Sequence, residues 1–342
     1  MRSPLTTLCY IEKDGQYLML HRVSKKHDVN KDKWIGIGGH FEEGESPEEC
    51  LLREAKEETG LTLTSWKFRG IVSFSAKGWP AEYMCLYTAD GFEGKLTCCN
   101  EGELEWVPKT EVTKLNLWEG DKIFLKLMAE NAPFFSLKLM YDGDVLQYAA
   151  LNGKPMELFD VCDENGVPTG RVTERSVAHA SGLMHRTAHI WVVRQTSDGK
   201  WQVLLQKRSS TKDAFPGRYD VSSAGHVMAG DDYRESAQRE LEEELGIRAQ
   251  PEELEYAGIF DSGDILAEFD GKPFHDREIS AVFVYRKEID AAKLNLQKEE
   301  VDSVRWIDYE ECCSFAEQED SRFCVKLRGL QLVGQYLGAE RE

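Results

Sequence analysis

The stretch Gly39-His-Phe-Glu-Glu-Gly-Glu45, followed after seven residues by Arg53-Glu-Ala-Lys-Glu-Glu-Thr-Gly-Leu61, is the most informative part of this sequence. A second stretch has the same spacing: Gly225-His-Val-Met-Ala-Gly-Asp231, then seven residues, then Arg239-Glu-Leu-Glu-Glu-Glu-Leu-Gly-Ile247. The two copies, which we call box 1 and box 2, lie 186 residues apart. A chain of 342 residues has room for two domains of about 150 residues each. The repeat therefore predicts two related folds in tandem.

Capping residues predict a helix in the second half of each box. Ser46-Pro47-Glu48-Glu49 places Ser at the N-cap, Pro at the first helical position and Glu at the third, which is a capping box. Asp232-Tyr-Arg-Glu235 is expected to act in the same way in box 2. Gly60 and Gly246 stand where a helix ends in a left-handed residue. Each box therefore predicts a glycine-rich loop that leads into a helix of about three turns.

Three glutamates recur on one face of each predicted helix, at positions i, i+3 and i+4. They are Glu54, Glu57 and Glu58 in box 1 and Glu240, Glu243 and Glu244 in box 2. Such like charges destabilise an isolated helix, whereas carboxylate oxygens are the ligands that Mg²⁺ and Mn²⁺ prefer. Arg53 and Arg239 are expected to hold one carboxylate each. Gly38 and Gly39 are expected to let the backbone approach a phosphate oxygen. An ordinary acidic surface helix is the alternative, but it explains neither the fixed spacing nor its duplication.

The sequence around the boxes predicts an α/β fold in each half, with a mixed sheet between helices. Matching elements flank the boxes: strands ending at Arg22 and Arg208, strands around Trp106 and Trp306, and helical patterns over Asp121–Glu130 and Glu319–Leu337. We place the boundary near Asn152–Pro155, which predicts domains over residues 1–153 and 157–342.

Composition excludes several classes of protein. The net charge is −19, whereas a nucleic-acid scaffold needs a basic face. No apolar run reaches the roughly 18–20 residues of a membrane span, and Glu12-Lys13-Asp14 interrupts the N-terminal apolar stretch, unlike a secretory signal. The nine cysteines form no CxxC pair, which favours free thiols in a reducing cytoplasm. We therefore expect a cytoplasmic protein that acts on small molecules, without nucleic acid polymers or membranes as partners.

Both boxes resemble the signature of the Nudix hydrolase family: Gly, five residues, Glu, seven residues, Arg-Glu, an apolar residue, one more, Glu-Glu, one more, Gly and an apolar residue. Box 1 fits at every position, and box 2 departs only at Asp231, where we expect weakened loop packing at most. The resemblance implies that water, activated at Mg²⁺ or Mn²⁺, hydrolyses a nucleoside diphosphate linked to another group. It also implies that Arg53, Arg239, Glu101 and the box glutamates are catalytic. The implied metal-binding residues are Gly39, Glu54, Glu57, Glu58 and Glu101 in the first half and Glu240, Glu243 and Glu244 in the second.

Outside box 1, the first half resembles bacterial MutT-type 8-oxo-dGTP diphosphatases. The matching stretches are Leu8–Ile11, Lys33–Gly39, Cys99–Val107, Leu117–Asp121 and Pro133–Phe135. The resemblance implies that Trp118 lies against the purine, that Asp121 hydrogen-bonds its edge, and that Glu101 is a metal ligand or the general base. Arg22 is a further candidate for substrate binding. Ile35 stands where relatives often have a polar amide, which leaves base selectivity open. In the alternative interpretation, Trp118 is an ordinary core residue and Asp121 only interacts with the helix dipole in the first turn.

The second half resembles isopentenyl diphosphate isomerase and its hydrolase relatives. The matching stretches are Phe159–Gly166, Pro168–Gly170, Leu183–Arg186, Leu204–Arg208 and Ala224–His226, with His179 and His189. The resemblance implies a second metal cluster formed by His179, His185, His226, Asp276 and Glu278. Isomerisation needs a cysteine at the position of Ala224, whereas the hydrolase residues of box 2 are complete. Diphosphate hydrolysis is therefore favoured, with Arg208 and His226 as candidates for substrate binding. Hydrogen-bonded strand histidines without a metal are the alternative.

These patterns predict two active sites with different substrates. The first is expected to cleave oxidised or normal purine deoxynucleoside triphosphates to a monophosphate and pyrophosphate, and the second an unidentified small diphosphate compound. One alternative is a single catalytic domain beside a ligand-sensing or dimer-forming domain. Another is residual isomerase activity in the second half. The chain is also a candidate homodimer.

Overall fold

The computed structural model describes residues 4–24, 28–212, 214–269 and 272–339, which fall into two compact units. The first unit runs to Leu158 and includes Val172–Val177. The second comprises Phe159–Arg171 and the chain from Ala178 onward. The predicted boundary near Asn152–Pro155 lies at a turn of the first unit, because Lys154–Pro155 pairs with the preceding strand.

The first unit is built on one mixed sheet. Its strands are β1 (Leu5–Lys13), β2 (Gln16–His21), β3 (Trp34–Ile35), β4 (Thr62–Ala76), β5 (Glu82–Glu93), β6 (Glu103–Pro108), β7 (Phe135–Asp142), β8 (Val145–Leu151) and β9 (Lys154–Pro155). They are ordered β3-β2-β1-β5-β4-β7-β8-β9, and β6 pairs with β2. β1 is parallel to β5 and β4 to β7, whereas the other pairs are antiparallel.

Two helices, α1 (Pro47–Thr59) and α2 (Glu119–Ala129), cover opposite faces of this sheet. Leu51 of α1 packs in a core cluster with Cys9 and Ile11 of β1. The ring of Phe124 in α2 lies 5.9 Å from that of Tyr10. Successive strand residues point to opposite faces, so α1 and α2 enclose the sheet, as predicted. A short 3₁₀ helix, Val112–Lys114, precedes α2.

The second unit has the same strands and helix around its box, but the elements packed around them differ. Two strands, β10 (Leu158–Cys162) and β11 (Pro168–Glu174), have residues in both units. The strands that lie wholly in the second unit are β12 (His185–Gln195), β13 (Trp201–Arg208), β14 (Tyr219–Asp220), β15 (Ser223–His226), β16 (Glu255–Phe269), β17 (Lys272–Tyr285) and β18 (Val301–Asp308). The main sheet is ordered β14-β13-β12-β17-β16, with β15 paired to β12 and β18 to β13, whereas β10 and β11 pair separately. β12 and β17 are parallel, so this sheet is also mixed.

Helices cover both faces of the second sheet. They are α4 (Tyr233–Leu245), α5 (Tyr309–Glu317) and α6 (Leu327–Ala339), with 3₁₀ turns at Pro251–Glu253 and Ala291–Lys293. A short helix, α3 (Arg175–Ser181), has residues in both units. Ile190 of β12 packs with Leu241 of α4, and its neighbour Trp191 packs with Val333 of α6. The α/β prediction is therefore confirmed for both units.

One helix prediction is wrong in its extent. The pattern over Glu319–Leu337 predicted one helix, but α5 ends at Glu317 and α6 begins at Leu327. Glu319 has a φ of 50°, a left-handed conformation that interrupts helical hydrogen bonding. The second unit therefore has two C-terminal helices where the sequence indicated one. Among the described residues, no helix is long and apolar enough to cross a membrane.

Candidate active sites

The box helices begin and end at the predicted residues. In α1, Ser46 Oγ accepts a hydrogen bond from the Glu49 amide, and Glu49 Oε2 accepts one from the Ser46 amide. In α4, the Asp232 carboxylate accepts two hydrogen bonds, from the amides of the second and third helical residues. Gly60 and Gly246 end the helices with φ of 76° and 71°. The caps fix where each helix starts and hence which side chains face the loop before it.

In box 1, Arg53 holds three carboxylates at the start of the site. Its Nη1 donates to Glu54 Oε1 at 2.7 Å and to Glu57 Oε2 at 3.4 Å. Its Nε and Nη2 donate to the two oxygens of Glu45 at 2.7 and 2.9 Å. These bonds, with one from the Glu42 amide, lower the pKa of Glu45 to about 2. Nη2 also donates to the His40 carbonyl, so one guanidinium ties the loop to the helix.

Glu58 is the buried member of the box 1 carboxylates. Its Oε2 accepts a hydrogen bond from the Gly38 amide at 2.9 Å, and only 7% of the residue is exposed. Burial raises the pKa of Glu58 to about 8, and the nearby charges of Glu101 and Glu54 add to the rise. A divalent cation would favour the ionised form and so relieve this carboxylate crowding. The donor set therefore fits a hard divalent metal.

Close packing requires glycine at the loop positions, and the approach of the backbone to a phosphate oxygen stays a prediction. A Cβ at Gly39 would lie 2.4 Å from Glu54 Oε1, and one at Gly38 would lie 2.1 Å from the Thr7 carbonyl oxygen. In box 2, a Cβ at Gly225 would lie 2.0 Å from the carboxyl carbon of Glu240. At Gly39 and Gly225, the box glutamate occupies the space that a side chain would need. At Gly38, the neighbouring strand occupies it.

Glu101 joins the box 1 carboxylates from the loop before β6. Arg22 Nη1 contacts Glu101 Oε2, and Arg22 Nε donates to Asp28 at 2.8 Å. The charge of Glu101 contributes to the raised pKa of Glu58, so Glu101 lies near this residue of α1. Arg22 therefore neutralises two acidic residues at the edge of the site.

Trp118 and Asp121 lie at the start of α2 and are both buried. Trp118 is 4% exposed, donates from Nε1 to Asn30 Oδ1 at 2.9 Å, and lies with its ring under the Lys33 ammonium. It also lines a pocket of about 220 Å³. Burial raises the pKa of Asp121 to about 8, although the charges of Lys33 and Lys122 oppose the rise. Trp118 is thus a packed residue that still forms one wall of a pocket.

Box 2 repeats the arrangement of box 1. Arg239 Nη1 donates to Glu240 at 2.7 Å and to Glu243 at 3.4 Å, and Nη2 donates to the His226 carbonyl at 3.1 Å. Glu244 is buried and accepts hydrogen bonds from Gln206 Nε2 and the Ala224 amide, both at 3.2 Å. Burial raises the pKa of Glu244 to about 7.

The loop of box 2 has an anchor that sequence reasoning missed. Among the described contacts, Arg239 makes no hydrogen bond to Asp231, the residue that replaces Glu45. Instead, Arg186 Nη2 donates to the Asp231 carbonyl at 3.0 Å and to Asp160 Oδ2 at 2.7 Å. The Gly230 amide donates to the same Asp160 oxygen. The available signals were Asp160 and Arg186, which stand in two of the isomerase-like stretches.

The five residues of the predicted second cluster lie together. The ligand atoms of His179, His185 and His226 lie within 4.8 Å of one another, as do those of His185, Asp276 and Glu278. His179 Nε2 and His185 Nε2 are 3.3 Å apart and each lies 3.6 Å from Asp276 Oδ1. His226 Nε2 lies 3.6 Å from Glu278 Oε1. Among the described residues, the box glutamates form no group this tight; Mg²⁺ commonly uses one or two carboxylates together with waters and phosphates.

The surroundings of this cluster favour a bound cation. His185 Nδ1 lies 2.9 Å from the Leu183 carbonyl, so Nδ1 donates and Nε2 keeps its lone pair. Asp276 Oδ1 is buried and has no hydrogen-bond partner among the described residues. Burial raises the pKa of Asp276 and that of Glu278. Imidazoles with carboxylates are a donor set for a divalent transition metal, and the residues present fit one.

Arg208 is already engaged by protein groups. Its Nη1 donates to Asp220 Oδ2 at 3.0 Å, and its Nε and Nη2 donate to the Ala214 carbonyl at 3.1 and 2.9 Å. His226 lies in the metal-type cluster, with its ring stacked on Phe159 at 4.6 Å. Both candidates for substrate binding in the second unit therefore have partners within the protein.

Comparison with known proteins agrees with this geometry. Residues 2–128 and 184–325 match the family described as "NUDIX domain", and the chain therefore belongs to the Nudix family. It is a Nudix hydrolase with two Nudix domains. Members of this family generally use divalent metal ions and act on small nucleotide-diphosphate substrates.

Individual relatives match about half of the chain. Nudix hydrolase 3 of Arabidopsis thaliana is 40% identical over 169 residues, which is 49% of this chain but 21% of that protein. An uncharacterized Nudix hydrolase of Clostridium acetobutylicum is 37% identical over 164 residues, 48% of this chain and 75% of that protein. A crystal structure of the MutT protein from Bacillus halodurans is 28% identical and covers 44% of this chain and 99% of its own, with a TM-score of 0.40.

Proposed function

We propose that this chain is a Mg²⁺-dependent pyrophosphohydrolase with two active sites, in which Mn²⁺ can replace Mg²⁺. The first unit converts oxidised or normal purine deoxynucleoside triphosphates, above all 8-oxo-dGTP, to the monophosphate and pyrophosphate. The second unit hydrolyses a different, small diphosphate compound. The repeated arginine with three box glutamates carries this proposal, because each unit keeps the full set in the same hydrogen-bonded arrangement.

In the first unit, the role of the box residues is to bind a divalent metal and to keep its carboxylate ligands oriented. Glu54, Glu57 and Glu58 would hold a divalent metal through their carboxylate oxygens, and Arg53 holds the first two by hydrogen bonds. A bound divalent cation neutralises phosphate charge and lowers the pKa of water. Glu54 or Glu101 accepts the proton of the attacking water as general base. The contact with Arg22 orients the Glu101 carboxylate for this role.

Trp118 and Asp121 select the base in this proposal. Trp118 offers an aromatic wall beside the pocket, and Asp121, three residues further along in α2, offers a buried carboxyl group. Because the pKa of Asp121 is raised to about 8, this group carries a proton at neutral pH and can donate it in a hydrogen bond to an acceptor on the purine edge.

In the second unit, Glu240, Glu243 and Glu244 take the roles of the box 1 glutamates, and Arg239 orients two of them. The cluster of His179, His185, His226, Asp276 and Glu278 holds a further divalent metal. Ala224 offers no thiol for allylic proton transfer, which supports hydrolysis over isomerisation. Arg208 stays a candidate for substrate binding in this unit, and in the structure its Nη1 donates to Asp220 Oδ2.

The cytoplasm is the proposed location. All nine cysteines are free thiols in the structure; five of them are buried, where they act as small apolar side chains, and one, Cys98, is exposed. Free thiols on this scale suit a reducing compartment.

Product analysis of 8-oxo-dGTP with Mg²⁺ tests the first assignment. Glu57→Gln is expected to reduce turnover by at least 100-fold, because it removes a ligand charge without changing side-chain size. Glu43→Gln, an exposed change in the same loop, is the matched control and is expected to retain full activity. Release of 8-oxo-dGMP and pyrophosphate supports the proposal. Wild-type protein without this activity, or activity that survives Glu57→Gln, refutes it.

A further inference from the structure

The two units place different side chains at matching positions of their sheets. In the first unit, Ile35 of β3 pairs with Leu20 of β2. In the second unit, Asp220 of β14 pairs with Gln206 of β13. Leu20 and Gln206 stand 186 residues apart, which is also the spacing of the two boxes. A carboxylate therefore replaces an aliphatic side chain at this position of the repeat.

The residue that precedes the helix opposite each box helix also differs. Trp118 directly precedes α2, whereas Lys326 directly precedes α6. Lys326 is half-buried and, within the part of the chain that the structure describes, forms no ion pair with a carboxylate. The second unit thus presents an ammonium group at the start of this helix, where the first unit presents an aromatic ring.

His189 of β12 is a third polar residue without a counterpart in the first unit. Thr187, two residues before it, corresponds to Thr6, because each pairs with the histidine of its own box. His189 therefore corresponds to Leu8. Its half-buried ring lies 5.7 Å from that of Phe260, which belongs to the core cluster that contains α6. Among the described residues, the ring of His189 makes no hydrogen bond.

Backbone hydrogen bonds hold the segment before α6 against β14. The Tyr219 amide donates to the Arg322 carbonyl at 2.8 Å, and the Cys324 amide donates to the Tyr219 carbonyl at 2.9 Å. Asp220 is the next residue after Tyr219, and Lys326 follows Cys324 by two residues. The start of α6 and the end of β14 are therefore neighbours in the second unit.

The charges of these residues reach one another. Burial lowers the pKa of His189, the charge of Asp220 opposes this change and that of Lys326 adds to it, so both side chains lie near the ring. Lys326 also acts on Asp276 of the histidine cluster. Arg208 compensates the charge of Asp220 at 3.0 Å, and a divalent metal in the cluster would compensate its carboxylates. Lys326 is then a cation without a partner, beside a neutral imidazole.

We propose that the second active site takes a diphosphate compound whose organic part is hydroxylated and carries an anionic group. Lys326 binds the anionic group, and His189 hydrogen-bonds to a neighbouring polar atom. A hydrocarbon chain at this place would leave both side chains against apolar atoms without hydrogen bonds, which is costly. The inference rests on the proposed hydrolysis at box 2, and it names the class of compound that this site accepts.

Substitutions of Lys326 separate charge recognition from packing. Lys326→Met removes the charge and keeps the length of the side chain, whereas Lys326→Arg keeps the charge. Arg328→Met is the matched control, because Arg328 is an exposed cation two residues further along, in α6. Thermal unfolding of the full-length variants checks that each is folded.

Three sugar phosphates that differ only at the sixth carbon are the probes. Glucose 1-phosphate has a hydroxyl there, glucuronate 1-phosphate a carboxylate and glucose 1,6-bisphosphate a phosphate. They contain no diphosphate linkage, so calorimetric titration of the full chain with Mg²⁺ measures binding without turnover. Dimethylallyl monophosphate is the apolar probe.

The wild type is expected to bind one of the two charged sugars at least tenfold more tightly than glucose 1-phosphate and dimethylallyl monophosphate, as for one charge-assisted hydrogen bond. The tighter of the two identifies the anionic group as a carboxylate or a phosphate. Lys326→Met should abolish the preference, Lys326→Arg should retain it, and Arg328→Met should match the wild type.

The outcomes distinguish this inference from the proposed function. If neither charged sugar binds more tightly than the uncharged probes, or if Lys326→Met leaves the preference unchanged, the inference is wrong, whichever diphosphates the chain hydrolyses. If the preference depends on Lys326 but Glu243→Gln removes no hydrolytic activity, the anion subsite stands and the proposed hydrolysis at box 2 fails. If there is neither a preference nor an activity that depends on Glu243, both are wrong.

Discussion

Arg53 and Arg239 stand at the same position of the repeat, yet their surroundings differ. Each donates at 2.7 Å to the glutamate that directly follows it in the sequence, but only Arg53 also binds a glutamate of the loop, Glu45. In box 2, Arg186 and Asp160 hold the loop from another direction. We expected weaker loop packing at Asp231, and this second anchor offsets the lost contact. A change at one motif position thus leaves the box geometry intact.

At the scale of single residues, Asp121 makes stability depend on pH. Burial raises its pKa from the ordinary 3.8 to about 8. Because the folded pKa lies above the unfolded one, the stability that this group contributes is complete below pH 4 and is lost as pH rises to about 8. Each unit of pKa shift corresponds to about 1.4 kcal/mol.

Asp121→Asn removes this titration and keeps the size of the side chain. The thermal midpoint of the wild type is therefore expected to fall relative to that of Asp121→Asn between pH 5 and 8, and the difference should level off above pH 8. Scanning calorimetry of both proteins across this range measures it. Parallel curves for the two proteins would mean that Asp121 ionises normally in the fold.

At the scale of elements, strand β15 separates the two candidate centres of the second unit. Gly225 faces α4, since a Cβ there would meet Glu240, whereas Ala224 packs in the core cluster that contains α6. Residues alternate along a strand, so His226 lies on the side of Ala224. The box and the histidine cluster therefore use opposite faces of one short strand.

The histidine cluster predicts a tightly bound metal that the boxes do not share. After dialysis against a mild chelator, the wild type should retain about one equivalent of a transition metal, measured by plasma mass spectrometry. His185→Ala should lose it, because Nε2 of this residue lies 3.3 Å from His179 and 3.6 Å from Asp276.

His189→Ala is the matched control for that substitution. It lies four residues further along β12, on the same face, and does not belong to the cluster. It is expected to keep the metal, as is Glu243→Gln in the box. Equal metal content in His185→Ala and the wild type would show that the cluster is an ordinary set of buried polar residues.

Local patterns made the box helices predictable, whereas contacts between distant segments did not follow from the sequence. Ser46, Gly60 and the spacing of Glu54, Glu57 and Glu58 act within one helix, so their roles could be inferred from neighbours along the chain. The Tyr141–Gly120 hydrogen bond joins residues 21 positions apart, and Tyr141 lies in a segment without a recognisable motif. The histidine cluster was predicted through family resemblance, and the helix break after Glu317 was missed because the apolar pattern continues across it.

At the scale of the whole molecule, the two units share one frame and differ in what surrounds it. Thr6 faces His40 and Met84 in the first unit as Thr187 faces His226 and Ser280 in the second. The first unit adds β7–β9 beside its tryptophan pocket, and the second adds α5 and α6 and the histidine cluster. A common box with different surroundings is the arrangement expected of two hydrolases with different substrates.

The most direct test of this account measures phosphate and pyrophosphate release from a panel of nucleotides and other diphosphates by the full chain with Mg²⁺. Wild type, Glu57→Gln and Glu243→Gln are compared, with Glu43→Gln and Glu242→Gln as controls on exposed residues near the two boxes. We predict that Glu57→Gln alone abolishes 8-oxo-dGTP turnover and that Glu243→Gln alone abolishes turnover of a different compound. If one substitution removes every activity and the other removes none, the chain has a single active site and the two-site account is wrong.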